Sequence, residues 1–498
     1  MSDHDQNKVE SAPVTSASHE GEPFTFRHIT ERRIWQKPDT HLLPLLIFLY
    51  FLSFLDRTII GKPFMSPRYE MSYAAIAGMK EDLRLTGLRY NVAAALFYIP
   101  YFLVEVPSNI LLRVFNLSRW SSKLLFCFLN HNASNLVPQV PSIMVAWGTV
   151  TTLMCLVNSY QGLVIARFFL GLTEGGLFPG LAYYISLWYP RQLQAKRIAL
   201  LISIATVGGA FGGIFAYGIE HLEGKAGLRG WQWIFFVEGL SGLAFIHDIM
   251  EEERQSVIQT LANDSKGQAT HFSTKFVWQA LADRKTYAQA ANFMCVYITG
   301  VAVALFTPTI VHDLGFSATH AQLLSVPPFL LAGVSTYIIS IWSDRANLRG
   351  PFIVICAMVS MTGYITAYAT SKPGPGYAAA IIAACGAFPC IAITLAWAAG
   401  NAGGIVKRGI VLAVVIGLGN IGGVCSSFIY YQPPRFYKGH GTMIGCLGVS
   451  SIMTWTYKRL NKEKEEQCAR EGIHESMKDV YRDLADKSPL FRSCSYVM

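Results

Sequence analysis

Arg167 and Glu174 lie inside an otherwise apolar run, 166–180, with no other charge between Gln161 and Arg191. At about 100° per residue, a spacing of seven returns both to nearly one helix face, about 10.5 Å apart along the axis. A guanidinium and a carboxylate on one face of a membrane-length segment are costly. Such groups point into a bundle or a wet cavity and mark a substrate or ion path. Burial and a nearby cation pull the proton affinity of Glu174 in opposite senses, so its proton can respond to which side of a cavity is open. A fixed salt bridge with Arg167 is the plainer reading.

Other candidates are more scattered. Asp56-Arg57 closes the first apolar run, in LSFLDRTIIG. An arginine there can hold a carboxylate bidentately and the aspartate can exchange a proton, or the pair can snorkel to the headgroups. Glu105 in YFLVEVPSN and Glu238 in RGWQWIFFVEG are lone acids, read first as structural hydrogen-bonding groups. Asp344 and Arg345, with Arg349 close behind, suit a latch between helix ends or a solvated loop. Trp397 and Asn420, in late apolar runs, can line a cavity or simply pack.

These groups need helices to hold them. Only 15% of the 498 residues are charged, against roughly a quarter in soluble proteins, and the mean hydropathy is +0.33. Apolar runs of about 20 residues, enough to cross a bilayer, predict twelve spans. They fall at 42–60, 91–112, 142–160, 162–187, 198–219, 231–248, 290–311, 321–342, 351–370, 377–400, 409–431 and 440–457. Most Lys and Arg then fall in loops on one side together with both termini, which the positive-inside rule makes cytosolic. The net charge of +9 is that loop bias and carries no nucleic-acid signal. Ten cysteines without CxxC or metal spacing read as packing groups.

The chain also repeats itself. Lys196-Arg197 before Gly212-Gly213 is echoed by Lys407-Arg408 before Gly422-Gly423, and Gly-Leu-Phe-Pro at 176–179 by Gly-Ala-Phe-Pro at 386–389. Two six-helix halves in parallel duplication place a binding site near midplane between them. The expected organisation is a polar tail over 1–40, an N-half over 41–248, a cytosolic linker over 249–289, a C-half over 290–457 and a second tail over 458–498.

Taken together, LLPLLIFLYFLSFLDRT, EDLRLTGLRYNVAAALFYIPYFLVEVPSN, RFFLGLTEGGLFPGLAYYISLWYPR, GLRGWQWIFFVEG, SDRANLRGPF and GNIGG resemble the anion:cation symporter family of the major facilitator superfamily. Within it they are similar to the fungal allantoate/nicotinate permease group. The resemblance implies an all-α membrane fold and roles in proton coupling and anion binding for Asp56, Arg57 and Glu174. It also implies a substrate-lining role for Tyr101 and matches Asn420 to a family asparagine. Against that pattern, 63–74 and 121–140 read as insertions, and about 20 residues that the family carries after Glu238-Gly239 are missing, which leaves the sixth span marginal for crossing a bilayer.

The expectation is a secondary carrier of the plasma membrane, with the vacuolar membrane second. It takes up a small monocarboxylate with a proton: nicotinate, allantoate, pantothenate or tartrate. Proton coupling is assigned to Glu174 and Asp56, substrate contact to Arg57, Tyr101, Trp397 and Asn420. Structural or gating duty falls to Arg167, Glu105, Asp344, Arg345 and Arg349. The lipid bilayer is the other partner, the chain is expected to act as a monomer, and no metal or cofactor is expected. A membrane-embedded enzyme is disfavoured, because the twelve histidines lie in tails, loops or span ends and GxSxG is absent. A non-transporting sensor or inactive isoform is the alternative that a short sixth span raises.

Overall fold

The computed structural model describes residues 42–59, 79–85, 89–114, 139–178, 180–181, 185, 191–220, 222, 224–244, 274–313, 323–346, 348–370, 372–402, 405–429 and 436–471. Among them all regular structure is helical. The principal helices are α1 (Leu42–Ile59), α2 (Arg89–Val114), α3 (Gln139–Leu153), α4 (Tyr160–Glu174), α5 (Arg191–Glu220) and α6 (Gly230–Ala244). The second set is α7 (Arg284–Asp313), α8 (Val326–Ala346), α9 (Gly350–Ala369), α10 (Pro373–Gly400), α11 (Ile405–Ile429) and α12 (Tyr437–Glu471).

A described helix overlaps each apolar run, because a bilayer leaves backbone N–H and C=O groups no partner but one another. By length and apolarity, five described helices can cross a membrane: Arg284–Ala304, Val326–Ala346, Gly350–Ala369, Pro373–Gly400 and Lys407–Ser426. Two boundaries differ from expectation. α7 starts at Arg284, inside the expected linker, and α12 runs on to Glu471, well past 457. Apolarity marks where a helix meets lipid, whereas its hydrogen-bond ladder continues into water. α6, as described, has 15 residues, which span about 22 Å at 1.5 Å per residue. Segment 63–74 lies outside the described residues, and of 121–140 only the first residues of α3 are described.

Helix contacts sort into two groups joined at two seams. α3 packs on α4 and α6, and α2 on α4, while α7 packs on α10, α11 and α12, and α9 on α10 and α12. The seams are α2 with α11 and α5 with α8 and α10. Each seam depends on a glycine where backbone meets a ring. A Cβ at Gly423 would come within 2.6 Å of the Tyr98 ring, and one at Gly209 within 2.9 Å of the Phe329 ring. Small residues of this kind let membrane helices approach closely without a hydrophobic driving force. The repeated Gly-x-Phe-Pro unit serves the same first helix from both helix groups: Phe178 packs on Tyr50 and Phe388 on Phe54.

Candidate functional site

Adjacent helical residues point about 100° apart, so Asp56 does not turn toward its neighbour's face. It reaches across to α4, where Arg167 Nη2 lies 3.7 Å from its Oδ1, both side chains almost fully buried. The partner oxygen, Oδ2, accepts a hydrogen bond of 3.2 Å from Trp147 Nε1 on α3. One turn back on α1, Ser53 donates its hydroxyl hydrogen to Glu174 Oε1. Asp56 with Arg167 and Ser53 with Glu174 is the order made by two helices running in opposite directions. The shared face of Arg167 and Glu174, read from their spacing, therefore exists, and it is turned toward α1.

α6 completes the cluster. The Arg167 guanidinium sits over the Phe235 ring, 5.7 Å from its centroid. Three residues along the same helix face, Glu238 is 1% exposed and feels the charges of Asp56, Arg167 and Glu174. Three helices thus bring three carboxylates and one guanidinium into one buried region. Glu238 was read from sequence as a lone structural acid and left out of the candidate site. Its signal was the mid-span position in WIFFVEG, but nothing in a one-dimensional pattern shows that this face meets α4.

A second pair bridges the two groups of helices. Asn420 on α11 donates through Nδ2 to Glu105 Oε2 on α2 at 3.1 Å, and also to the Ile416 carbonyl at 3.0 Å. Both residues are buried. Glu105, expected to be structural, and Asn420, expected to touch substrate, therefore meet each other across the seam. Tyr101 is buried one turn before Glu105, its ring 5.5 Å from Phe97. Its carbonyl lies where a Cβ on Gly175 would come within 2.7 Å, which places it at the α2–α4 crossing.

The remaining candidates lie elsewhere. Arg349 Nη2 and Asp344 Oδ1 form a 3.0 Å ion pair across the connection between α8 and α9, and Arg345 beside them is exposed. Burial lowers the Arg349 pKa and the Asp344 charge opposes that shift. Asp344 lies in the last turn of α8 and Arg349 just before α9, so the pair spans the turn between them. Trp397 is buried in the second group of helices, its ring 4.5 Å from that of Tyr457 and facing Gly350, a packing role at the end of α10. Arg57 belongs to α1, and its side chain lies outside the described residues. No group of three or more His, Cys, Asp and Glu side chains among the described residues is arranged to hold a metal ion.

Comparison with known proteins agrees with this layout. The chain is 31% identical to an uncharacterised transporter of Schizosaccharomyces pombe, over 95% of this chain and 97% of that one. It is 30% identical to the high-affinity nicotinic acid transporter of Saccharomyces cerevisiae, over 93% and 85% respectively. In fold it is similar to a bacterial homologue of the human lysosomal transporter Spinster, with a TM-score of 0.55 at 15% identity, covering 85% of this chain and 97% of that one. Residues 46–427 match the model of the Major Facilitator Superfamily. A multi-pass helical membrane chain with transporter relatives and an intramembrane charge cluster is a transporter and not an enzyme, and it belongs to the major facilitator superfamily.

Proposed function

We propose that the chain is a proton-coupled symporter that brings a small monocarboxylate across the plasma membrane, with both termini in the cytosol. The observation that carries this reading is the buried Asp56–Arg167 pair, with Glu174 two turns along α4 accepting from Ser53 one turn back on α1. Carboxylates kept in an apolar setting beside one cation change their charge more readily than they move it. Protonation of Asp56 or Glu174 alters which contacts the α1–α4 pair can keep, and that alteration is a means of biasing the two helix groups between arrangements. Arg57, one residue beyond Asp56 on α1, anchors the substrate carboxylate as a bidentate fork. Among candidate acids nicotinate leads, because a relative that aligns over most of this chain transports nicotinic acid. Allantoate, pantothenate and tartrate offer the same carboxylate and remain in the test panel.

Glu174→Gln keeps the shape and the hydrogen bond to Ser53 but fixes the charge at zero. Expressed in yeast and assayed in sealed vesicles, it should lose gradient-driven uptake of labelled nicotinate while exchange persists. Gradient-driven uptake surviving in this variant would return Glu174 to structural duty. Arg57→Ala should abolish substrate binding in the same vesicles.

A further inference from the structure

Among the described side chains, one guanidinium lies in a buried region with three carboxylates in the first group of helices. Asp56 comes from α1, Arg167 and Glu174 from α4, and Glu238 from α6, and all four are buried. Among the described residues, the other elements packed on α6 bring no further charged side chain to this region. α3 has no ionisable side chain, and neither does the stretch 198–211 of α5. The short turn Met154–Leu156 meets the opposite end of α6, where the Cys155 carbonyl accepts from Gln232 Nε2 at 2.8 Å.

With every carboxyl ionised, three buried carboxylates would share the one described guanidinium, and burial makes such an excess of negative charge costly. The contacts single out where a proton sits. Asp56 faces Arg167 and accepts the Trp147 indole hydrogen, and Glu174 accepts from Ser53. Neither oxygen of Glu238 has a hydrogen-bond partner among the described residues. A bare carboxylate in that position is the costliest of the three. Arg167, for its part, is held by charge and by the Phe235 ring, and its Nε and Nη2 donate no hydrogen bond among the described residues. It is not locked into a fork with Asp56, and Glu238 lies one turn from the ring beneath it.

We propose that Glu238 is a proton-binding group of the carrier: it holds a proton while Arg167 pairs with Asp56, and releases it when Arg167 turns to Glu238. The O–H bond broken at Glu238 is matched by one formed at Asp56, the proton passing through water of the open cavity, so the cluster's charge is unchanged. The inference rests on the proton-coupled reading above and adds to it a third carboxyl and an exchange partner for Asp56.

Infrared spectroscopy of the purified full-length protein at neutral pH reads protonated carboxyls directly, with no substrate needed. The wild type should show a protonated-carboxyl C=O band that Glu238→Gln removes and Glu238→Asp shifts. A Glu238→Gln spectrum that keeps every such band of the wild type overturns the proposal. If the glutamine variant fails to fold, Glu238→Asp decides alone, an unchanged band counting against it. In vesicles with labelled nicotinate as probe, Glu238→Gln should lose gradient-driven uptake by about tenfold or more. The two claims fail separately. A wild type indifferent to the gradient removes the symport reading, whereas a coupled wild type with unaltered Glu238→Gln bands removes Glu238 alone.

Discussion

Among the described side chains, Arg167 is the cation that pairs with Asp56 and acts on Glu238. Removing one partner of a buried pair costs about 3–5 kcal/mol, because the other charge is left behind. Arg167→Met should therefore lower the thermal unfolding temperature of the detergent-solubilised protein, and Asp56→Asn placed on top should recover part of the loss. No recovery in the double variant would show that the two side chains are not coupled. Much of this was hidden in the sequence. Arg167 and Glu174 could be placed on one face from their spacing, but their partners on α1 and α6 depend on helix rotation and order, which periodicity in an almost wholly apolar helix does not encode. Asp56 was set beside Arg57 because they are neighbours in the chain, although neighbours on a helix do not face each other.

At the scale of helices, the seam between α2 and α11 combines a glycine that admits the Tyr98 ring with the Asn420–Glu105 hydrogen bond. In double-mutant cycles such a bond between membrane helices contributes about 0.6 kcal/mol on average and about 1.7 at most. A double-mutant cycle on Glu105→Gln and Asn420→Ala should find a coupling energy of that size in thermal unfolding, and additive effects would mean the bond carries no net energy. Gly423→Leu should cost more than either polar change, since Tyr98 occupies the space its side chain would need. Existence and order of the helices were legible, because apolar runs and the repeated Gly-x-Phe-Pro unit persist along the chain. The ends were less so: hydropathy stops at the membrane surface, whereas α7 and α12 continue beyond it.

For the whole molecule, the asymmetry between halves is the guiding feature. The packing unit Gly-x-Phe-Pro is shared, yet the charges beside it in α4 have no counterpart in α10, which is uncharged throughout. The proposed proton coupling therefore rests on the first group of helices, and the second supplies the partner side of both seams. The most direct measurement is accumulation of labelled nicotinate by wild-type protein in sealed vesicles, with and without an imposed pH gradient. Accumulation above the external concentration with acid outside, collapsed by a protonophore, is the predicted result. Uptake that proceeds equally whether or not the gradient is present would contradict proton coupling and the role given to the buried carboxylates.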